Sequence, residues 1–110
     1  MSDALLIFTN LPDALSAQAL ARQLVERKLA ACVNILPAVQ SVYRWQGVVE
    51  QASEVTLLIK TVASRYAELE SAIKAIHPYG LPEIIALPIA AGLPAYLDWI
   101  TAETQKDVNV

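Results

Sequence analysis

The sequence predicts an α+β fold of four strands and two helices in the order β-α-β-β-α-β, followed by one further helix. Three observations carry this prediction. Apolar runs of strand length recur at Ala4 to Thr9, Ala30 to Ile35, Val55 to Lys60 and Ile84 to Ile89. Apolar residues at helical spacing fill the intervals after the first and third runs. Tight-turn chemistry at Gln46-Gly47 joins the middle two runs directly.

Each element follows from local chemistry. Ala4 to Thr9 is a continuous apolar run, short enough for a buried strand. Asn10-Leu11-Pro12-Asp13 supplies a turn, and Asp13 or Ser16 is placed to cap the next helix. Ala17, Leu20, Ala21, Leu24 and Val25 give that helix one core face, and Glu26-Arg27-Lys28 gives it a wet C-terminal end. The second strand begins at Ala30, with a kink or edge bulge expected at Pro37. Beyond it Val39, Ser41, Tyr43 and Trp45 share one face, and Gln40, Val42, Arg44 and Gln46 share the other. After the turn, Val48 to Glu50 starts the return strand, a second bulge is expected within Gln51 to Glu54, and Val55 to Lys60 completes a long hairpin.

Ser64 is expected to open the second helix, with Tyr66, Leu69, Ile73 and Ile76 facing inward and Pro78 ending it. Ile84 to Ile89 is apolar on both faces and reads as a central or sandwiched strand. Gly92-Leu93-Pro94 leads into the third helix, with Pro94 near its first position. Leu97 and Ile100 share one side of it, and Tyr96 and Trp99 another. Gln105 to Val110 reads as a frayed tail. The whole is a ferredoxin-like βαββαβ sandwich with a long hairpin between its second and third strands and an extra C-terminal helix. Both helices of the repeat cover one face of such a sheet, and the other face needs cover of its own.

The bulk numbers bound the function. The 110 residues are expected to form a single domain over 1–110. Hydrophobic residues reach 55% and charged residues only 17%, against about 25% charged in typical soluble domains. So small a domain has too much surface to hide that many apolar side chains alone, so a buried subunit interface is expected. The net charge is −3 with no basic run, which leaves no electrostatic footprint for nucleic acid. The single cysteine, Cys32, forms no intrachain disulfide and gives no sign of an oxidising compartment. Ala4 to Phe8 is too short for a signal-peptide core, and no apolar stretch approaches the roughly 18 residues of a membrane span. A cytoplasmic location and no membrane partner are expected.

The chemistry centres on His77-Pro78-Tyr79-Gly80-Leu81-Pro82-Glu83. It holds the only histidine and sets it before a carboxylate, across a segment that prolines keep from being helical. Two readings of His77 and Glu83 stand side by side. They are half of a metal site, completed by a third group or by water. Alternatively, His77 satisfies the last carbonyls of its helix while Glu83 pairs with a nearby backbone N–H. Cys32 lies among small and apolar neighbours and reads as a buried small hydrophobe. Tyr43, Arg44 and Trp45 near the hairpin tip read as interface packing, with a ligand cleft as the other reading. Lys60 and Glu54 either line a cleft or pair at the surface. No nucleophile–base pair and no glycine-rich phosphate loop is present, so no catalysis is expected.

Several segments make the chain resemble the CutA family of divalent-cation tolerance proteins. They are Leu29-Ala30-Ala31-Cys32-Val33-Asn34-Ile35, Ser41-Val42-Tyr43-Arg44-Trp45-Gln46-Gly47, Leu58-Ile59-Lys60-Thr61, His77-Pro78-Tyr79, Pro82-Glu83-Ile84-Ile85-Ala86-Leu87-Pro88 and Tyr96-Leu97-Asp98-Trp99. The resemblance spans about residues 4–103. It implies a ferredoxin-like fold and a tight homotrimer in which strands of adjacent subunits pair. It also implies association with copper and other divalent ions, with His77 and Glu83 at the ligand positions. Some members add a cysteine at the end of the first strand, where this chain carries Phe8. An N/O donor set suits Cu(II) or Zn(II) better than Cu(I), which prefers sulfur. Gly80 stands where the family usually has a bulkier polar residue. The resemblance therefore implies a trimeric, non-catalytic metal-binding protein, with an unidentified protein partner left open. A second reading is a PII-like signalling or scaffold trimer that takes a small molecule or partner protein in its inter-subunit cleft. The tight turn and mostly neutral cleft candidates count against a nucleotide there.

Overall fold

The computed structural model describes residues 3–106. Its elements are β1 (Ala4–Leu11), α1 (Ala14–Glu26), β2 (Cys32–Trp45), β3 (Val48–Val62), a 3-10 turn (Ala63–Arg65), α2 (Tyr66–Ile76), β4 (Ile85–Pro88) and α3 (Pro94–Glu103). The strands form an antiparallel sheet in the order β2-β3-β1-β4, which bears out the expected α+β, ferredoxin-like fold class. The expected tail from Gln105 falls mostly on residues 107–110, which lie outside the described residues.

The helix termini show how local chemistry sets the boundaries. Asp13 caps α1, its carboxylate accepting the Ser16 N–H at 2.8 Å. That bond holds the Asp13 carboxyl below its usual range. At the other end the cap comes from outside the helix. The buried Arg65 guanidinium donates to the carbonyls of Lys28 at 3.3 Å and Arg27 at 3.5 Å, and to Glu68 at 3.1 Å. It thereby satisfies acceptors that a helix C-terminus leaves open. The hairpin turns at Gln46 and Gly47, both at positive φ (50° and 82°), the two-residue geometry that matches strand twist. Pro94 opens α3 at its first turn as expected.

Strand alternation divides the sheet into two faces. Ile7 and Leu11 of β1 and Leu57 and Ile59 of β3 point to the face covered by α1 and α2, where they meet Leu20, Leu24, Leu69 and Ile73. Val25 and Ile76, expected in those helical stripes, are exposed at the rim, and Ala72 is buried instead. Ala4 and Val62 point to the opposite face, where Ile100 and Leu97 of α3 cover them with Ala31 and Ile89. So α3 closes only one end of the second face. Further along, Leu36, Ile85 and Leu87 remain 41%, 50% and 44% exposed.

Four local expectations are corrected. Ile84 to Ile89 is not a central strand: β4 is four residues long, pairs only with β1 and forms the sheet edge. Its apolar side chains remain exposed within one subunit. β3 runs unbroken through Gln51 to Glu54, and the irregularity lies only on the facing strand, between Leu36 and Val39. Ser64 lies in the 3-10 turn, and α2 itself begins at Tyr66. Cys32 is only partly buried and its Sγ lies 3.9 Å from the Lys60 ammonium, because it faces the sheet side that α3 leaves partly open.

Candidate functional site

The site is a groove of about 930 Å³ on the second sheet face, beyond the end covered by α3. One wall is the hairpin arm, with Ser41, Tyr43, Trp45, Glu50 and Glu54. The other is the loop from Pro78 to Glu83. Asn10, at the far end of β1, forms part of its lining.

Asn10 ties the two halves of the predicted metal pair together. Its carbonyl accepts from His77 Nε2–H at 2.7 Å. Its side-chain amide donates to Glu83 Oε1 at 3.2 Å. Its side-chain oxygen accepts from the Thr56 hydroxyl at 2.6 Å, across the β1–β3 pairing that sets Asn10 opposite Thr56. His77 and Glu83 are thus joined through Asn10.

The tautomer of His77 follows from its partners. A carbonyl only accepts, so Nε2 carries the proton. Nδ1 then accepts the Tyr79 N–H at 3.2 Å, and the side chain is only 8% exposed. His77 is the C-cap residue of α2, but its ring bonds the Asn10 carbonyl of β1 rather than the last carbonyls of its own helix, and Glu83 accepts from the Asn10 side-chain amide rather than from a backbone N–H, so the helix-end reading is corrected in both halves. Ligation by Nδ1 requires the Tyr79 N–H bond to be exchanged, at about 1 kcal/mol for a neutral hydrogen bond. Glu83 is exposed. Among the described residues no three His, Cys, Asp or Glu side chains come together as a metal cluster. Phe8 presents no donor, so the fit to a metal ion is that of an open, two-donor N/O set.

Tyr79 links the loop to the hairpin. Its hydroxyl donates to Glu54 Oε2 at 3.0 Å, and its ring lies 4.9 Å from the His77 ring. Burial of that hydroxyl, then the bond to Glu54 and its negative charge, pushes the phenol up to about 12. Tyr79 as a whole remains 37% exposed, so the burial that matters is at its hydroxyl end, against the 8%-exposed Glu54. Glu54 and Lys60 do not pair: Lys60 instead donates to the Tyr96 hydroxyl at 3.3 Å beside α3. The groove lining is mostly neutral, as expected, and its charged members Glu50, Glu54 and Glu83 are all acidic. Asn10, Thr56 and the Tyr79–Glu54 contact were not singled out as site features from sequence. Of this wall, the sequence offered Tyr43, Trp45 and Glu54 as cleft candidates, and the alternation of Ser41, Tyr43 and Trp45 placed three of its residues on one face.

Comparison with known proteins places this geometry. The family model for the CutA1 divalent ion tolerance protein matches residues 5–103. The divalent-cation tolerance protein CutA of Thermus thermophilus is 47% identical over 98 residues, which cover 89% of this chain and 95% of that one. The mouse protein CutA is 41% identical over 93% of this chain, which spans 58% of its length. The crystal structure of CutA from Xylella fastidiosa superposes with a TM-score of 0.91 at 48% identity, covering 94% of this chain and all of that one. Among the described residues no helix is long and apolar enough to cross a membrane. The chain belongs to the CutA1 divalent ion tolerance family.

Proposed function

We propose that the chain acts in divalent-cation tolerance as a non-catalytic cytoplasmic homotrimer that binds Cu(II) or Zn(II) weakly and exchangeably through His77 and Glu83. The observation that carries this reading is the Asn10 junction, which holds both side chains on one short polar network. His77 would contribute Nδ1 after release of the Tyr79 N–H, and Glu83 a carboxylate oxygen. Water fills the remaining positions of such an open set. A two-donor site of this kind exchanges its ion readily, which suits buffering better than storage.

Support for self-assembly comes from the apolar surface. Leu36, Ile85 and Leu87 are half-exposed on a sheet whose two edges, β2 and β4, are both unpaired within the subunit. Unpaired edges invite strand addition, and exposed apolar patches invite burial. Pairing between subunits would cover both.

The test is a competition titration of Cu(II) and Zn(II) against a calibrated chelator, with wild type, His77→Ala and Glu83→Ala compared at neutral pH. Light scattering on the same samples reads the assembly. Saturable binding lost in both variants, with the trimer intact, is expected. Equal binding in all three proteins overturns the ligand assignment, and a monomer at micromolar concentration overturns the trimer.

A further inference from the structure

We propose that Thr56 is a positioning residue for the metal site, acting through the Asn10 amide to hold Glu83 ready for an ion. This deepens the metal reading and rests on it. The ground is a chain of two directed hydrogen bonds. The Thr56 hydroxyl donates to Asn10 Oδ1 at 2.6 Å, and Asn10 Nδ2 donates to Glu83 Oε1 at 3.2 Å. A primary amide has one accepting end and one donating end, and an ionised carboxylate only accepts. Turned the other way, the amide would set its own oxygen against the Glu83 carboxylate. Thr56, itself only 9% exposed, occupies the accepting end and so fixes which end Glu83 meets. The β1–β3 register sets Thr56 directly opposite Asn10, so paired strands decide the orientation, not the loop.

Glu83 is the member of the pair that needs such support. His77 is buried and anchored at both ring nitrogens. Glu83 is exposed and lies between α2 and β4, outside any helix or strand, with the Asn10 amide holding its carboxylate. A side chain whose rotamer is set in advance loses less freedom when an ion arrives, and partners behind a ligand fix its orientation. The two halves of the junction are separable. His77 takes the Asn10 backbone carbonyl, and Glu83 takes the Asn10 side chain. Loss of the Thr56 hydroxyl therefore loosens the Glu83 arm and leaves the His77 arm in place. All of these bonds lie within one subunit, so a neighbour covering this sheet face would shield them without being needed to form them.

The experiment is the Cu(II) and Zn(II) competition titration on the full chain, extended to Thr56→Val, Thr56→Ser, Asn10→Ala and the Asn10→Ala/Thr56→Val double variant beside wild type and His77→Ala. Thr56→Val keeps the side-chain shape and removes the donor, and should weaken the ion roughly tenfold. Thr56→Ser returns the hydroxyl and should recover most of that loss. Asn10→Ala should weaken the ion similarly, and adding Thr56→Val to it should cost nothing more. In metal-free protein the NMR signals of the Asn10 side-chain amide should move in Thr56→Val and return in Thr56→Ser. A loss in Thr56→Val that Thr56→Ser does not recover, or that adds to the Asn10→Ala loss, marks general packing and overturns the positioning role. So does an Asn10 amide that stays unmoved in Thr56→Val. If His77→Ala loses binding while Thr56→Val binds as wild type does, the positioning role falls and the metal reading stands. If wild type and His77→Ala bind alike, the metal reading falls and takes this role with it.

Discussion

His77→Ala should destabilise the protein whether or not metal is present. The imidazole holds two partly buried backbone groups, the Asn10 carbonyl at 2.7 Å and the Tyr79 N–H at 3.2 Å. It joins the end of α2 to the end of β1 by a side chain that is 8% exposed. Removing it leaves one acceptor and one donor without this partner, each costing on the order of 1 kcal/mol. The lost ring packing adds about 1 kcal/mol more, for a total of roughly 3 kcal/mol. At about 4 °C per kcal/mol for a domain of this size, the melting temperature should fall by roughly 12 °C. The assay is thermal and urea unfolding of both proteins in chelator, at one fixed protein concentration because the proposed assembly would contribute to apparent stability. A loss below about 0.5 kcal/mol refutes the reasoning, since surface substitutions fall in that range. So does a loss that appears only when metal is supplied.

Three further predictions follow from single side chains. Thr9 is fully buried and its hydroxyl lacks a partner, so Thr9→Val should stabilise by about 1 kcal/mol, read as a rise in the urea midpoint at unchanged slope. Arg65→Met should cost about 2–3 kcal/mol in the same assay, because it strips the cap from α1, and Arg65→Lys should recover only part of that. Tyr79 should ionise at about 12 in a spectrophotometric titration of wild type minus Tyr79→Phe. Its folded value lies above the free value of about 10, so its contribution to stability is full below pH ~10 and is lost as pH rises toward 12.

The sequence revealed what is decided locally. Asp13 ahead of an apolar stripe, Gln46-Gly47 between alternating runs and Pro94 at a helix start each act within a few residues, and each stands where expected. What escaped is decided by partners far along the chain. Asn10 and Glu83 are 73 residues apart, Tyr79 and Glu54 are 25 apart, and Arg65 reaches back 37 residues to cap α1. No spacing rule links such pairs before the sheet order is known. β4 misled for a different reason. Apolar residues on both its faces suggested a central strand, yet it lies at an edge with its side chains exposed, so composition alone did not fix its place in the sheet.

The bulge in β2 connects fold to site. Pairing runs Leu36↔Thr56 and then Val39↔Glu54, so β2 carries one residue more than β3 across this step. Ala38 takes φ 59° there, a left-handed conformation that costs a non-glycine residue about 1 kcal/mol. Because side chains alternate with a period of two, one extra residue exchanges the two faces of the strand beyond it. Ser41, Tyr43 and Trp45 therefore share the face of Glu50 and Glu54. Without the extra residue, Val42 and Arg44 would point there instead, and Arg44 would bring a cation to the carboxylates. As it stands, Arg44 donates to the Gly47 carbonyl at 3.1 Å across the hairpin turn. The bulge thus fills the groove with aromatic rings and keeps the hairpin's own positive charge out of it. A strained alanine beside Pro37 is a local cost, and its structural effect is to keep Arg44 away from Glu54, which has no ion-pair partner among the described residues.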